Sequence, residues 1–377
     1  MANGQRLFIK LLNVLKNNRL LVKRSLRSLR ILQFLCVFIL ICPNAEAQNS
    51  GKWRIKNRLQ ASYQFDDNIR ENTADSLKKN DSSLRFLFHS RASRSNSNTR
   101  LAFSYQGGLQ SYFRHSIENK LINEIQFSGQ YRLRKFVGGV RGNGRLKIYL
   151  NHSFDYSTGS FELFLRLPPL ANFFNEFAIN TAGLEYQNFP GFNYSEKQVK
   201  WTISKELSSG LTGVLDLSGK SIDYHRNIIV TTEDSTGCPD IQQKDDNYKV
   251  QFKVNYTKSF LVNFSYSLQY NDSNSRGYKY TRHQFVLIIG VPLSNKTWLR
   301  GYAAAQIKIY PEEVLPIFPT DVDTEREESN FFVVDMSRDL NPSISALLRF
   351  AYYNNESVIR SRFYRKAILT AGFDFRF

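Results

Sequence analysis

The stretch YRKAILTAGFDFRF, from Tyr364 to Phe377, decides the fold. Its odd positions are Arg365, Ala367, Leu369, Ala371, Phe373, Phe375 and Phe377; its even positions are Lys366, Ile368, Thr370, Gly372, Asp374 and Arg376. Successive side chains of a strand point to opposite faces, so one face here is apolar and aromatic and the other mostly polar. A water-facing sheet gains nothing by displaying Phe373, Phe375 and Phe377, whereas a lipid-facing one does. A strand that faces lipid needs partners on both sides, because an open sheet edge cannot stand in hydrocarbon.

The preceding sequence supplies those partners. Trp53, Ile55, Leu59, Ala61, Tyr63 and Phe65 alternate with Arg54, Lys56, Arg58, Gln60, Ser62 and Gln64, and the same alternation recurs over 84–92, 101–113, 121–133 and 136–150. In the second half it returns over 199–207, 211–217, 248–256, 260–270, 285–291, 299–309, 332–336 and 344–352. Ser95-Asn96-Ser97-Asn98, Lys258-Ser259, Asn295-Lys296 and Asn341-Pro342 read as tight turns, whereas 66–82, 225–245 and 311–328 read as long polar loops. Residues 151–176 are the least clear. Phe161, Leu163, Leu165 and Leu167 form a short strand ended by Pro168-Pro169, 170–176 reads as a turn or small helix, and 177–188 as the next strand. Gly138, Gly139, Gly142 and Gly144 permit sharp bending or close approach by another segment. The expectation is all-β: a transmembrane antiparallel up-and-down β-barrel of about 16 strands, or about 14 if 151–176 contributes fewer.

Composition agrees with this reading. Phe and Tyr number 30 and 20 in 377 residues, which suits aromatic girdles at two membrane interfaces. Mean hydropathy is −0.40, and past residue 42 no apolar run approaches the roughly 18 residues of a membrane helix, so insertion must use strands. Residues 1–30 hold eight Lys/Arg and no acid, the apolar run ILQFLCVFILIC follows, and Ala45-Glu46-Ala47 supplies a small-residue cleavage site. We read 1–47 as a cleaved signal peptide and 48–377 as the barrel. Ile41 before Cys42 argues against a lipoprotein. Cys238 is the one cysteine left after cleavage, so neither a disulfide framework nor a Cys-based metal site is expected. Phosphate loops, metal-ligand His clusters and Cys nucleophiles are absent, so no cofactor is expected. Nucleic acid is not a fitting partner behind a secretion signal, despite a pI near 9.7.

Charge divides by region. Loop 66–82 holds Asp66, Asp67, Glu71, Asp75 and Asp81; loop 225–245 holds Glu233, Asp234, Asp240 and Asp245; loop 311–328 is also acidic. These read as solvated loops. Bases fall on the expected inner face: Arg54, Lys56, Arg58, Arg85, Arg91, Arg141, Arg145, Lys147, Lys200, Arg282 and Lys366. A pore lined this way favours anions. The competing reading is that the bases pair with lumen acids such as Glu124 and fill the barrel. About 16 strands leave a lumen too wide to fill with side chains alone, which favours a pore. On that reading Lys366→Glu retunes ion preference and leaves assembly intact.

The chain's ending resembles the C-terminal signature of bacterial outer-membrane β-barrel proteins. The resemblance implies that Phe373, Phe375 and Phe377 form an assembly signal for the barrel-assembly machinery, and that outer-membrane lipid and lipopolysaccharide are partners. Tyr63-Gln64-Phe65-Asp66-Asp67-Asn68 resembles the Tyr-x-x-Asp-Asn start of porin families associated with exopolysaccharide export; Asn341-Pro342, Tyr352 to Ser357 and Arg376-Phe377 are similar to their C-terminal hairpin. No functional residue carries over. Asn151-His152 resembles the outer-membrane phospholipase A motif, but Phe154 stands where its Ser is needed. Asp223 and His225 resemble half of an omptin protease site, but Asp66 and Asp67 are neighbours that point apart. The expected function is therefore not enzymatic: a porin-like channel in the bacterial outer membrane for passive diffusion of small, preferentially anionic solutes. The alternatives are export of an acidic polysaccharide or surface protein, and a structural or adhesive barrel with a closed lumen. Transported molecule, gating and oligomeric state are not encoded in any motif.

Overall fold

The computed structural model describes residues 52–71, 78–151, 154–231, 236–237, 239–312, 330–355 and 364–377. Sixteen strands form the wall: β1 (Arg54–Asp66), β2 (Asp81–Ser95), β3 (Thr99–Tyr112), β4 (Lys120–Leu133), β5 (Phe136–Tyr149), β6 (Tyr156–Arg166), β7 (Phe173–Tyr186), β8 (Tyr194–Ser208), β9 (Leu211–Asn227), β10 (Gln242–Thr257), β11 (Leu261–Ser273), β12 (Tyr280–Ser294), β13 (Thr297–Ile309), β14 (Asn330–Asn341), β15 (Ile344–Asn355) and β16 (Tyr364–Arg376). Each pairs antiparallel with its sequence neighbour, and β16 closes on β1. That seam runs from Arg58 opposite Arg376 to Asp66 opposite Ile368. Just beyond it Asn57 and Phe377 exchange both backbone hydrogen bonds, at 3.0 and 3.1 Å. Val230–Thr231 and Thr236–Gly237 form a small ribbon in the β9–β10 connection.

Residues 151–176 hold all of β6 and the first four residues of β7. Leu170 and Phe173 exchange backbone hydrogen bonds of 3.0 and 2.9 Å around Ala171 and Asn172, both with positive φ, at 48° and 66°. This is a two-residue turn of the twist that suits a hairpin, not a small helix, and β7 begins at Phe173 instead of 177. The prolines precede the turn, where a missing donor costs nothing, and Leu167 N–H still reaches Asn175 O at 2.9 Å. The close approach expected at glycines occurs at two of four. A Cβ at Gly139 would strike the Phe164 ring, and one at Gly142 would strike the Phe127 ring, whereas Gly138 and Gly144 meet only ordinary contacts.

The two faces invert the arrangement of a soluble protein. Leu163, Val199, Val250, Phe252, Leu348 and Leu369 are exposed on the outside. Outward aromatics lie at both strand ends, Tyr63, Phe65 and Phe113 at the loop side and Tyr131, Phe136, Phe173 and Phe260 at the short-turn side, and also along the wall between, as at Phe127, Phe161 and Phe252. The inside buries polar groups instead, among them Gln64, Ser267, Asn271, Thr370 and Asp374. Such an outer surface is stable in lipid and not in water. The strands, 11 to 17 residues long, exceed the roughly 9–11 needed to cross, so the wall extends past the hydrocarbon.

Phe252→Arg, on the outer face of β10, should destabilise the barrel in phospholipid vesicles by about 2–4 kcal/mol in urea unfolding, and Gln251→Arg, on the inner face, by less than about 1 kcal/mol.

Candidate functional site

Residues paired in antiparallel register share a face. Buried Ser62 therefore fixes Arg85 opposite it as inward, and Lys56 and Arg91, which face each other, lie on that same side. By this register all eleven bases singled out in the sequence lie on the inner face: Arg54, Lys56 and Arg58 on β1, Arg85 and Arg91 on β2, Arg141, Arg145 and Lys147 on β5, Lys200 on β8, Arg282 on β12 and Lys366 on β16.

Their environments fall into three kinds. Lys147, Arg282 and Lys366 are buried in the wall and do not face open lumen. Lys366 Nζ lies 2.9 Å from Asp66 Oδ2 and 3.5 Å from Glu71 Oε1, Arg282 donates to Gln269, and Lys147 Nζ sits 4.7 Å from the Tyr149 ring centre. A second set is ion-paired within the lumen. Arg141 meets Glu162 at 2.5 Å and Glu176 at 2.9 Å, and Glu176 also accepts from Arg166 at 2.6 Å. Arg145 pairs with Glu124 at 3.1 Å, Arg58 pairs with Asp374, and Lys200 shares Asp216 with Lys253 at 3.6 and 2.6 Å. The third set, Arg54, Lys56, Arg85 and Arg91, forms no ion pair among the described residues.

Of the acids that neutralise the second set, the charge reading names Glu124 and misses Glu162, Glu176, Asp216 and Asp374. Glu162, Glu176, Asp216, Asp335 and Asp374 each stand alone in an apolar strand, as Asp216 does between Leu215 and Leu217 and Asp374 between Phe373 and Phe375. Parity alone assigns them to the inner face, and counting acids by loop hides them. Three acids expected in solvated loops are buried at the rim. Asp66 holds Lys366 and accepts from Asn68 N–H at 3.0 Å; Asp81 accepts from Arg114 N–H and His115 N–H at 3.0 and 2.8 Å; Asp245 accepts from Gln243 and Asn271 at 3.0 and 2.9 Å. Backbone donors and amides at the loop side of the wall need acceptors, and these carboxylates supply them.

The interior is graded along the barrel axis. Toward the loops, Ser83, Gln243, Asn247, Asn271 and Gln306 are buried. Toward the short turns, inward side chains are open to solvent, including Arg54, Lys56, Arg58, Trp298 at 45% and Tyr302 at 38%. Mid-height on β3–β5, Gln106, Gln126, Ser128 and Asn143 are also exposed.

Among the described residues the Asp–His protease motif is not assembled. Asp223 points outward and lies 3.4 Å from Lys244, whereas Asp66 points inward on β1. His152, Ser153, Cys238 and most acids of 311–328 lie outside the described residues. Among the described residues no group of His, Cys, Asp and Glu is placed to hold a metal ion.

No family model and no curated protein matches the chain. Solved outer-membrane barrels resemble it at low identity. A bacterial polysaccharide outer membrane secretin is 10% identical with a TM-score of 0.41, covering 88% of this chain and 99% of its own. The in-vitro folded OmpT of Vibrio cholerae is 10% identical with a TM-score of 0.44, over 88% and 100%. OprD of Pseudomonas aeruginosa is 8% identical with a TM-score of 0.40, over 87% and 96%.

The Lys366 geometry reverses the effect expected of its replacement. Lys366→Glu would leave buried Asp66 without its cation and add a third carboxylate beside Asp66 and Glu71. It should cost about 3–5 kcal/mol in urea unfolding from vesicles, where simple retuning of the pore would leave stability unchanged.

Proposed function

We propose that this chain is an outer-membrane channel through which small solutes diffuse passively, with a preference for anions. The observation that supports the preference is the short-turn mouth. Lys56 stands directly opposite Arg91, with Arg54 on the same face, and none of the three has an acid partner among the described residues. Like charges opposed across a ladder cost stability. In an aqueous lumen they also raise the local concentration of anions. Deeper in the wall Arg141 and Arg145 are matched by Glu162, Glu176 and Glu124, Lys200 and Lys253 share Asp216, and Arg85 is left unpaired among the described residues, so the bias is strongest at this mouth instead of uniform along the pore.

The mechanism is permeation without covalent chemistry. Water-filled space carries the solute, unpaired bases bias its charge, and neutral ion-paired clusters let it leave without being trapped. The outer apolar band seats the barrel among outer-membrane lipid and lipopolysaccharide, after delivery by a cleaved leader and insertion by the barrel-assembly machinery.

Purified protein in planar bilayers should give discrete conductance steps and, across a KCl gradient, a reversal potential of the sign for chloride preference. Lys56→Glu combined with Arg91→Glu should move that potential toward potassium. Absence of conductance would overturn the channel and favour a closed or export barrel; cation preference in the unaltered protein would overturn the role of the mouth.

A further inference from the structure

One register row of inward side chains crosses six adjacent strands, climbing with the strand tilt from the short-turn mouth toward mid-height. Lys56 of β1 faces Arg91, Arg91 faces Ser104, Ser104 faces Gln126, Gln126 faces Asn143, and Asn143 faces Ser160 of β6. In order across the wall the row reads cation, cation, hydroxyl, amide, amide, hydroxyl. At about 4.8 Å per strand, the four neutral positions span roughly 14 Å. The part from Arg91 onward lines a cavity of about 530 Å³, within the ordinary range for a small-molecule site.

Two properties mark this wall. Its floor is low beside Ser104 and Gln126, where Ala102 and Ser128 fill the neighbouring inward positions, and rises to the Arg141–Glu162 ion pair beside Asn143 and Ser160. Much of its hydrogen-bonding capacity is also unspent, although Gln126 donates to Glu124 at 2.5 Å. Ser104, Ser128, Asn143 and Ser160 have no hydrogen-bond partner among the described residues, and Asn180 Oδ1, which lines the same cavity, is buried without one. Some inward polar groups elsewhere are engaged, as Asp216 is by Thr202, Lys200 and Lys253, whereas Gln306 on β13 is buried with neither amide atom partnered among the described residues.

We propose that this row is a binding subsite for a short oligosaccharide carrying one carboxylated sugar, an assignment that rests on the channel reading and gives it a substrate class. The carboxylate lies against Arg91 and Lys56, where a guanidinium offers a paired-donor fork and the ammonium a second charge. The neutral sugars lie along Ser104, Gln126, Asn143 and Ser160, each of which both donates and accepts, as ring hydroxyls do. A simple inorganic anion would use the two bases and leave the hydroxyls and amides idle. A neutral sugar would use the amides and leave two facing cations uncompensated.

The test is blockade of single channels by sialyllactose, with maltotriose as the neutral oligosaccharide of equal length. Sialyllactose should block reversibly at a concentration about tenfold lower than maltotriose, as one charge-assisted contact implies. Arg91→Gln should abolish that difference, and Ser128→Phe, which raises the floor of the cavity, should weaken block by both sugars. Channels that still open in bilayers show that each variant is folded. Equal block by the two sugars, or block unchanged in both variants, overturns the subsite while the conductance leaves the channel intact. If no channels form, calorimetric titration of the detergent-solubilised barrel with the same sugars decides the subsite separately: tighter sialyllactose binding lost in Arg91→Gln supports it, and absence of binding overturns it.

Discussion

In hydrocarbon no water is present to satisfy a backbone N–H or C=O, and each one left unpaired costs more than a typical side-chain contact returns. Closure of β1 on β16 is therefore the condition on which the remaining structure depends. The register of that seam, Gln60 opposite Asp374 and Gln64 opposite Thr370, sets which parity faces inward on both strands. Through fifteen further ladders that parity propagates around the wall. A slip of one residue anywhere would turn Phe and Leu into the lumen and Arg and Asp into lipid. The strongly biphasic sequence is what makes such a slip costly, and the tight turns, including the two-residue turn at Ala171-Asn172, lock it at one end.

Once parity is fixed, electrostatics inside the barrel follow from the company each base keeps. A charge on a lumen wall is hydrated on one side only, so a nearby acid lowers its energy and cancels its field together. Arg141, Arg145 and Lys200 are spent in this way on Glu162, Glu124 and Asp216. Lys366 goes further and is a structural cation, holding Asp66 at the rim of the closing seam. Of the eleven inner bases, Arg54, Lys56, Arg85 and Arg91, on β1 and β2, keep their field toward the lumen.

Most of the fold was legible because the signal is periodic and repeated. Alternation over 53–65 and 364–377, with short turns at one end and long loops at the other, requires an even antiparallel barrel. The least legible stretch, 151–176, yielded both strands and the break between them, but left the turn open to a small helix and began β7 four residues late, for local reasons. Pro168-Pro169 looks like an end to sheet structure, and the turn residues Ala171 and Asn172 lack the glycine that usually marks left-handed backbone. The inner wall was legible residue by residue but not as a set. Parity located each base, yet whether a base is free depends on residues far away in sequence, such as Asp374 for Arg58 and Asp66 for Lys366. Acids were sorted by loop, and so Asp216 and Asp374, isolated between apolar neighbours, went unread. The row from Lys56 to Ser160 lay further out of reach, because it exists only once six strands are set in register.

That row also explains an asymmetry of the lumen. On β13–β15 the inward positions carry Tyr302, Phe331 and Tyr353, whose rings pack at 4.8 and 5.8 Å, together with Asp335 held between Arg349 and Arg300 at the end of the wall nearer the short turns. Bulk and paired charge occupy that side. On β3–β6 the corresponding positions are Ala102, Ser104, Ser128 and Ser160, which leave volume and hydrogen-bonding capacity exposed. A solute in the lumen would thus meet an aromatic wall on one side, where Asp335 offsets one of two arginines, and a recessed polar wall with two facing cations on the other. The difference in free energy between those walls depends on the solute. A hydrated chloride ion gains only from the field of Lys56 and Arg91, whereas a carboxylated sugar gains from the field and from each amide and hydroxyl along the row. On the proposed channel function, the geometry that would give a weak preference among small ions would give a stronger one among polyhydroxylated anions.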